Sequence, residues 1–434
     1  MASYEYTPSN ESLTSVRGED DTAGGPSGGF SSDTSQTSTR SSEFTQEVED
    51  IIGNSIPLPN LEEQAQSLIK ELGSHPVYNQ LSYGDSEIRA RIKLDRILYS
   101  MLFYAYECGG DGGKRYTASA ICACRRENND VTLAYLQSLA STWLSHLLFV
   151  FKANGSHKVQ INSTPSIIMS PTVEDTAAQV EVGATENHKD NFKTAVLKRD
   201  GYRCVATGEA DVDHPGPLSS DEEFESISTE GCHILWGAIA LLDQNKTYLS
   251  ALSTLDILRH YASLPAMTIE DIASVINDPS NGMTLCANAR DGFDSFAWSL
   301  KMVDNVSSRS QVCLVLNLSD PISQTPNTYS IVVHRPRGLG LGSVSKRRHY
   351  ITFQDFSARF TEESSPPRQK QRNTGSGDAG DKAPQPERGQ GIALPNPLFI
   401  RIHSAIAGVL HMSGAGEEID AAIRRAGGAP PEAF

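Results

Sequence analysis

Three short blocks, at residues 196–208, 231–235 and 281–294, constrain this chain more than the rest of its 434 residues. The first, Val-Leu-Lys-Arg-Asp-Gly-Tyr-Arg-Cys-Val-Ala-Thr-Gly, ends a basic helical run and passes through a glycine into a segment carrying Cys204. The second, Gly-Cys-His-Ile-Leu, reads as a short strand with one imidazole, His233. The third opens on the turn-forming pair Asn281-Gly282 and runs through Cys286 to Phe293-Asp294. Each block alone is weak, since a single His-Ile-Leu is more often ordinary core sequence. Their order carries the information.

Around these blocks the chain divides by composition. Hydrophobic content of 38%, with 34 glycines and 22 prolines, is low for a chain folded from end to end. Residues 1–48 form an acidic Ser/Thr/Gly-rich tail with too little apolar surface to offset chain entropy, and they are expected to be disordered. Residues 60–152 read as an α-helical region. Ile88, Ile92, Leu94, Ile97, Leu98, Met101, Leu102 and Ala105 recur at helical steps, a glycine run at 109–113 breaks the chain, and a second helix spans 131–151. Further helices are expected at 187–199, 246–261 and 268–277, and strands at 312–316, 329–333 and 349–353. Residues 361–394 are a Pro/Gly/charge-rich insert, expected to be disordered. The stripe Leu398, Ile402, Ala405, Ile406, Val409 opens C-terminal helices over 395–426 that pack on the core.

The formal net charge of −16 does not exclude nucleic acid, because its distribution is uneven. DNA binding depends on a local basic face, and residues 328–350 hold Arg335, Arg337, Lys346, Arg347 and Arg348 with no acid. That cluster could contact phosphates, act as a nuclear-import signal or be simply solvated. The amino terminus has no basic-then-apolar leader, and the apolar stretch 135–151 is interrupted by Gln137, Ser138, Ser141, Thr142, Ser145 and His146, so a membrane span is not expected. Seven cysteines without such a leader fit a reducing compartment, cytosol or nucleus.

In order, the three blocks resemble the HNH, or ββα-metal, nuclease module, and are most similar to the HNH-like proteins common in filamentous and mushroom-forming fungi. The resemblance implies an α+β protein: an HNH-like ββα core over 187–360 with a helical insertion at 243–278, an N-terminal α-helical region, additional strands and a C-terminal helix. It implies metal-dependent hydrolysis of phosphodiesters in DNA or RNA, where a base activates water and a metal stabilises the leaving oxygen. By motif position His233 would be the base, Asn281 would orient it and tie its loop, and Cys232 would be a metal ligand, with Asp294 a further donor for Mg or Zn. Asp291 and His214 are also available. The helix position that should carry a second ligand holds Arg290, which stays protonated and offers only donors. Arg290 would then clamp a phosphate.

Lys198, Arg199, Arg203, Arg347 and Arg348 would contact the nucleic acid. Cys204 and Cys286 each keep one half of a zinc-binding Cys pair; two thiols cannot supply four ligands, so no structural zinc is expected and both read as small buried residues. The turn after Gly208 should pair with 231–235, a helix should follow Asn281-Gly282, and His233 should face that helix. Three functions stay open: a nuclease, a catalytically inactive HNH-fold module that binds nucleic acid or protein, and a scaffold that docks a protein partner through the N-terminal helices.

Overall fold

The computed structural model describes residues 34–81, 91–154, 186–224, 226–235, 248–264, 275, 277–303, 327–335, 348–360 and 391–426. The expected segments at 268–277 (all but two residues), 312–316 and 361–390 lie outside them. The first helix, α1 (Thr34–Gly53), starts within the stretch expected to be unstructured. Its Gln46-Glu47-Val48-Glu49-Asp50-Ile51-Ile52 end supplies apolar residues that composition averaged over the whole tail conceals.

Pro57-Leu58-Pro59 starts α2 (Leu58–Gly73), because proline is tolerated in the first turn, where backbone N–H groups have no intrahelical acceptor. Its buried stripe is Leu61, Ala65, Leu68, Ile69 and Leu72, and it packs on α3 (Leu94–Cys122). The glycine run does not end α3. The helix kinks at Gly110 (φ 62°, ψ −149°) and continues to Cys122. The reason lies in α8 (Tyr248–Tyr261), whose last carbonyl presses into the run: a Cβ at Gly109 or Gly113 would lie 2.3 or 2.2 Å from the Tyr261 oxygen. The run is a docking slot. Gly113→Ala is expected to cost about 1–3 kcal/mol through this overlap, read as a lower urea midpoint with unchanged slope.

Helix α4 (Asn129–Trp143) is capped by Asn128, whose side chain accepts from the Asp130 and Val131 amides. It runs through a π-helical turn (Leu144–Leu148) into α5 (Phe149–Asn154). Among the described residues no single helix is long and apolar enough to cross a membrane.

The second half mixes short helices with two antiparallel sheets. After α6 (Glu186–Arg199) and α7 (Ser220–Phe224), strand β1 (Thr229–His233) pairs with β2 (Gly282–Cys286), with Cys232 opposite Met283 and His233 opposite Gly282. Helix α9 (Ala287–Asp294) follows β2 directly. Strands β3 (Trp298–Met302), β4 (Thr328–Val333) and β5 (Tyr350–Thr352) form the other sheet in that order. Helix α10 (Pro397–Ser413) lies on β3 and α3, and Gly414, in the left-handed region at φ 75°, turns the chain into α11 (Ala415–Ala426). The protein is thus α+β, with N-terminal helices, small antiparallel sheets and C-terminal helices.

Two expectations about the three blocks are corrected. The partner of the His233 strand is β2 rather than the turn after Gly208, which makes only isolated bridges, Arg203 to Ala210 and Asp211 to Ile227. The helix expected after Asn281-Gly282 is present as α9, but strand β2 comes between. All five β2 residues are buried, so they show no alternation that would distinguish a strand from a helix. Strand β3 was not foreseen at all.

Candidate active site

The pleat of β1 decides what each of its side chains can reach. Successive residues point to opposite sides. Glu230 and Cys232 face α9: Glu230 bonds Arg290, and Cys232 packs with Met283, Ala289 and Phe293. Gly231 and His233 face α6. A Cβ on Gly231 would lie 3.1 Å from the Lys193 Cα, and the His233 ring lies flat on Phe192, with centroids 4.1 Å apart and planes 1° from parallel. His233, expected to face the helix that carries Arg290, is therefore stacked on α6.

Asn281 occupies the tying position. Its Oδ1 accepts from the Leu235 amide at 2.9 Å, and its Nδ2 donates to the Leu235 carbonyl at 3.1 Å. Its own carbonyl accepts from Ile234 N at 2.8 Å. Asn281 thus fixes the two residues that follow His233, Leu235 through its side chain and Ile234 through its backbone.

Arg290 sits where a metal ligand would be expected, and it binds carboxylates. Its Nη1 pairs with Glu230 Oε2, and its Nε donates to Asp294 Oδ2 at 3.2 Å. Burial pushes the Asp294 carboxyl up to about 7, against the lowering pull of Arg290. Cys232 is 1% exposed, and burial first, then the Asp294 charge, hold its thiol well above the usual range. It donates to the Glu230 carbonyl at 3.4 Å. Asp291 is exposed, and His214 belongs to a separate turn, bonded to Gly216 and packed against Tyr202 and Phe360. Among the described residues no three His, Cys, Asp or Glu side chains are grouped to hold a metal.

The basic residues divide. Arg199, expected at a nucleic-acid face, is fully buried. It is bidentate to Asp200 at 2.8 and 3.0 Å, and donates to the carbonyls of Pro279 (2.6 Å), Gly282 (2.7 Å) and Ala393 (3.0 Å). A guanidinium has five N–H groups, and all five are used. Arg203 pairs with Glu222 at 3.0 Å and donates to the Gly208 carbonyl at 3.2 Å. The Arg348 guanidinium lies over the same Gly208, so two cations converge on that turn. Lys198 is half-buried, Arg335 bonds Asp420 at 3.1 Å, and Arg347 lies outside the described residues.

One feature the sequence did not disclose is that Cys204 and Cys286 join the same buried core cluster, where Val205 N donates to the Thr284 carbonyl at 2.9 Å. The neighbouring Cys286, against burial, lowers the Cys204 thiol, with Thr207 assisting. The Cys286 thiol is raised.

Residues 204–301 match the family model of the HNH endonucleases. This stretch is an HNH endonuclease domain, and it spans β1, β2, α9 and nearly all of β3. None of the curated proteins and none of the solved structures matches the chain. The family implies nucleic acid as substrate and a divalent metal as cofactor. The match does not speak to a fungal source.

The residues present do not fit that metal. Two of the carboxylates that could bind it, Glu230 and Asp294, already hold a guanidinium. A protonated arginine at the centre would repel a dication at close range. A buried neutral thiol is a poor partner for an oxygen-preferring ion such as Mg²⁺.

Proposed function

We propose that this chain carries an HNH fold without metal-dependent hydrolysis, retained as a nucleic-acid-binding module in the cytosol or nucleus. The observation behind this reading is the Glu230–Arg290–Asp294 ion-pair cluster, in which a fixed internal cation takes the role of counter-ion to the carboxylates. Hydrolysis at this site would need a water-activating base beside a polarised phosphate, and His233 instead stacks on Phe192. Binding would fall to the turn where Arg203 and Arg348 converge, with Lys198 and Arg347 extending it. The division into 60–152, 187–360 and 395–426 belongs to the same proposal, with the outer segments supporting the module.

Two assays test this with the full chain. In Mg²⁺, Mn²⁺ or Zn²⁺, any nicking of supercoiled plasmid should be the same for the protein and for His233→Ala. Metal-dependent nicking that disappears in His233→Ala defeats the proposal. Affinity for duplex DNA should fall steeply with salt, because each neutralised phosphate releases counterions. Arg348→Glu, an exposed position, should weaken it. No binding at low salt would remove the nucleic-acid reading and leave the protein-docking scaffold.

A further inference from the structure

We propose that α3 is a self-association surface, on which two copies of this chain pair antiparallel through Tyr99, Phe103 and Tyr106. The inner side of α3 packs on α2, α8 and α10, and Ile97, Leu98, Met101 and Ala105 there have no exposed surface. The outer side nonetheless carries those three large rings, 41%, 53% and 62% exposed in chain order. Surface aromatics scattered singly need no explanation. These are not scattered. Arg96, Tyr99, Phe103, Tyr106 and Gly110 follow one another at alternating steps of three and four, the spacing of a seam between two helices. Tyr99 and Phe103 stack on each other, with centroids 6.3 Å apart, so little side-chain freedom is left to lose on association.

Two features select a second copy as the occupant, in antiparallel register. The first is charge. Arg96 and Asp111 stand exposed at opposite ends of the stripe, and neither has an ion-pair partner among the described residues. A two-fold axis at Phe103 sets Phe103 against its own copy, Tyr99 against Tyr106 of the second copy, and Arg96 beside Asp111 of the second copy. A parallel pair would instead oppose Arg96 to Arg96 and Asp111 to Asp111. A surface that complements itself about an axis is what a two-fold dimer requires. The second feature is room. The same axis brings Arg96 over Gly110, where a Cβ would meet nothing within 4 Å, so the arriving arginine finds bare backbone.

Size sets the strength. A buried aromatic side chain covers about 150–250 Å², and these rings are about half exposed, so six of them remove roughly 600 Å² from water. That is half of the ~1,200 Å² at the lower end for stable interfaces. With the flanking charges added, the pairing is reversible and of micromolar strength. It does not depend on what residues 204–301 bind.

Sedimentation velocity of the full chain over a concentration series is the test. The average mass should rise from monomer at nanomolar to dimer at high micromolar concentration. Phe103→Glu, at an exposed position, should hold the monomer mass throughout with an unchanged circular-dichroism spectrum. Arg96→Asp should weaken the dimer about tenfold, since two equivalent pairs are reversed at once. Arg96→Asp combined with Asp111→Arg should restore it. A monomer mass at every concentration would overturn the proposal and leave the stripe to another partner. A dimer indifferent to Phe103→Glu or to Arg96→Asp, or a charge exchange that restores nothing, would overturn it equally. Should Phe103→Glu fail to fold, the charge exchange still decides.

Discussion

Replacing Arg199 by methionine is expected to cost about 3–5 kcal/mol of folding stability, the range for breaking one side of a buried ion pair. The substitution leaves the Asp200 carboxylate, 6% exposed, with the Thr284 amide at 2.7 Å as its remaining donor among the described residues. It also strips a donor from each of three carbonyls. Those carbonyls belong to the turn before β2, to β2 itself and to the approach to α10, so one side chain joins three parts of the chain. Arg199→Lys should recover little, because an ammonium presents its donors from one point and cannot span five acceptors. Arg199→Met combined with Asp200→Asn should be less harmful than Arg199→Met alone, since no uncompensated charge stays buried. Urea unfolding of the three variants checks this. Equal loss in the single and double variants would mean that the carbonyl bonds, not the ion pair, hold the stability. Lost DNA binding in an Arg199 variant would then report unfolding rather than a missing phosphate contact.

Arg199 also shows where sequence reading stops. It ends a basic helix beside Lys198, and composition places such residues in solvent. What buries it is the approach of Pro279, Gly282 and Ala393, the last almost two hundred residues away. The adjacent Arg199-Asp200 pair was a local hint, but its burial depends on long-range packing. The direction of His233 was hidden for a related reason. Period-2 alternation separates it from Cys232, yet which side faces α9 follows only from the register with β2.

The legible parts were those with local physics behind them. The α3 and α10 stripes, the strands near 329–333 and 349–353, and the α6 and α8 helices all follow from periodicity. The position of Asn281, tying the residues after His233, was readable from motif order. So was the misfit at Arg290, because its chemistry does not depend on the fold. That Arg290 binds Glu230 was not readable, since Glu230 lies sixty residues away on strand β1.

Acid is expected to destabilise the protein well before ordinary carboxylate titration is complete, with His403 as the main cause. Its ring is 3% exposed and sandwiched between Phe293, with centroids 3.7 Å apart, and Phe296, at 4.6 Å. Nε2 meets the Phe293 carbonyl at 3.2 Å, while Nδ1 has no hydrogen-bond partner among the described residues. Protonation would bury an unpaired N–H and a charge together. Burial accordingly lowers its pKa from the ordinary 6.5 to about 3, with the Phe293 carbonyl acting weakly the other way. The flanking phenyl faces could offer an imidazolium only about 1–2 kcal/mol, too little to reverse that.

The folded pKa lies below the unfolded one, so the unfolded chain takes up the proton first. The contribution is complete above about pH 6.5 and is lost as pH falls toward 3. At pH 4.5 the loss from His403 alone is about 3 kcal/mol. His334, lowered to about 4 by burial and by its stacked neighbour His411, acts in the same direction, reduced by its partial exposure. Asp294 opposes them: its folded pKa is raised to about 7, so it gains relative stability as pH falls from 7 to the ordinary carboxylate range. A variant comparison separates these effects. His403→Gln, which keeps a donor for the Phe293 carbonyl and cannot be charged, should lose about 3 kcal/mol less than the parent between pH 7.5 and 4.5 in urea titrations. Parallel pH profiles for parent and variant would show that His403 titrates normally, and would leave the carboxylates as the source of any acid instability.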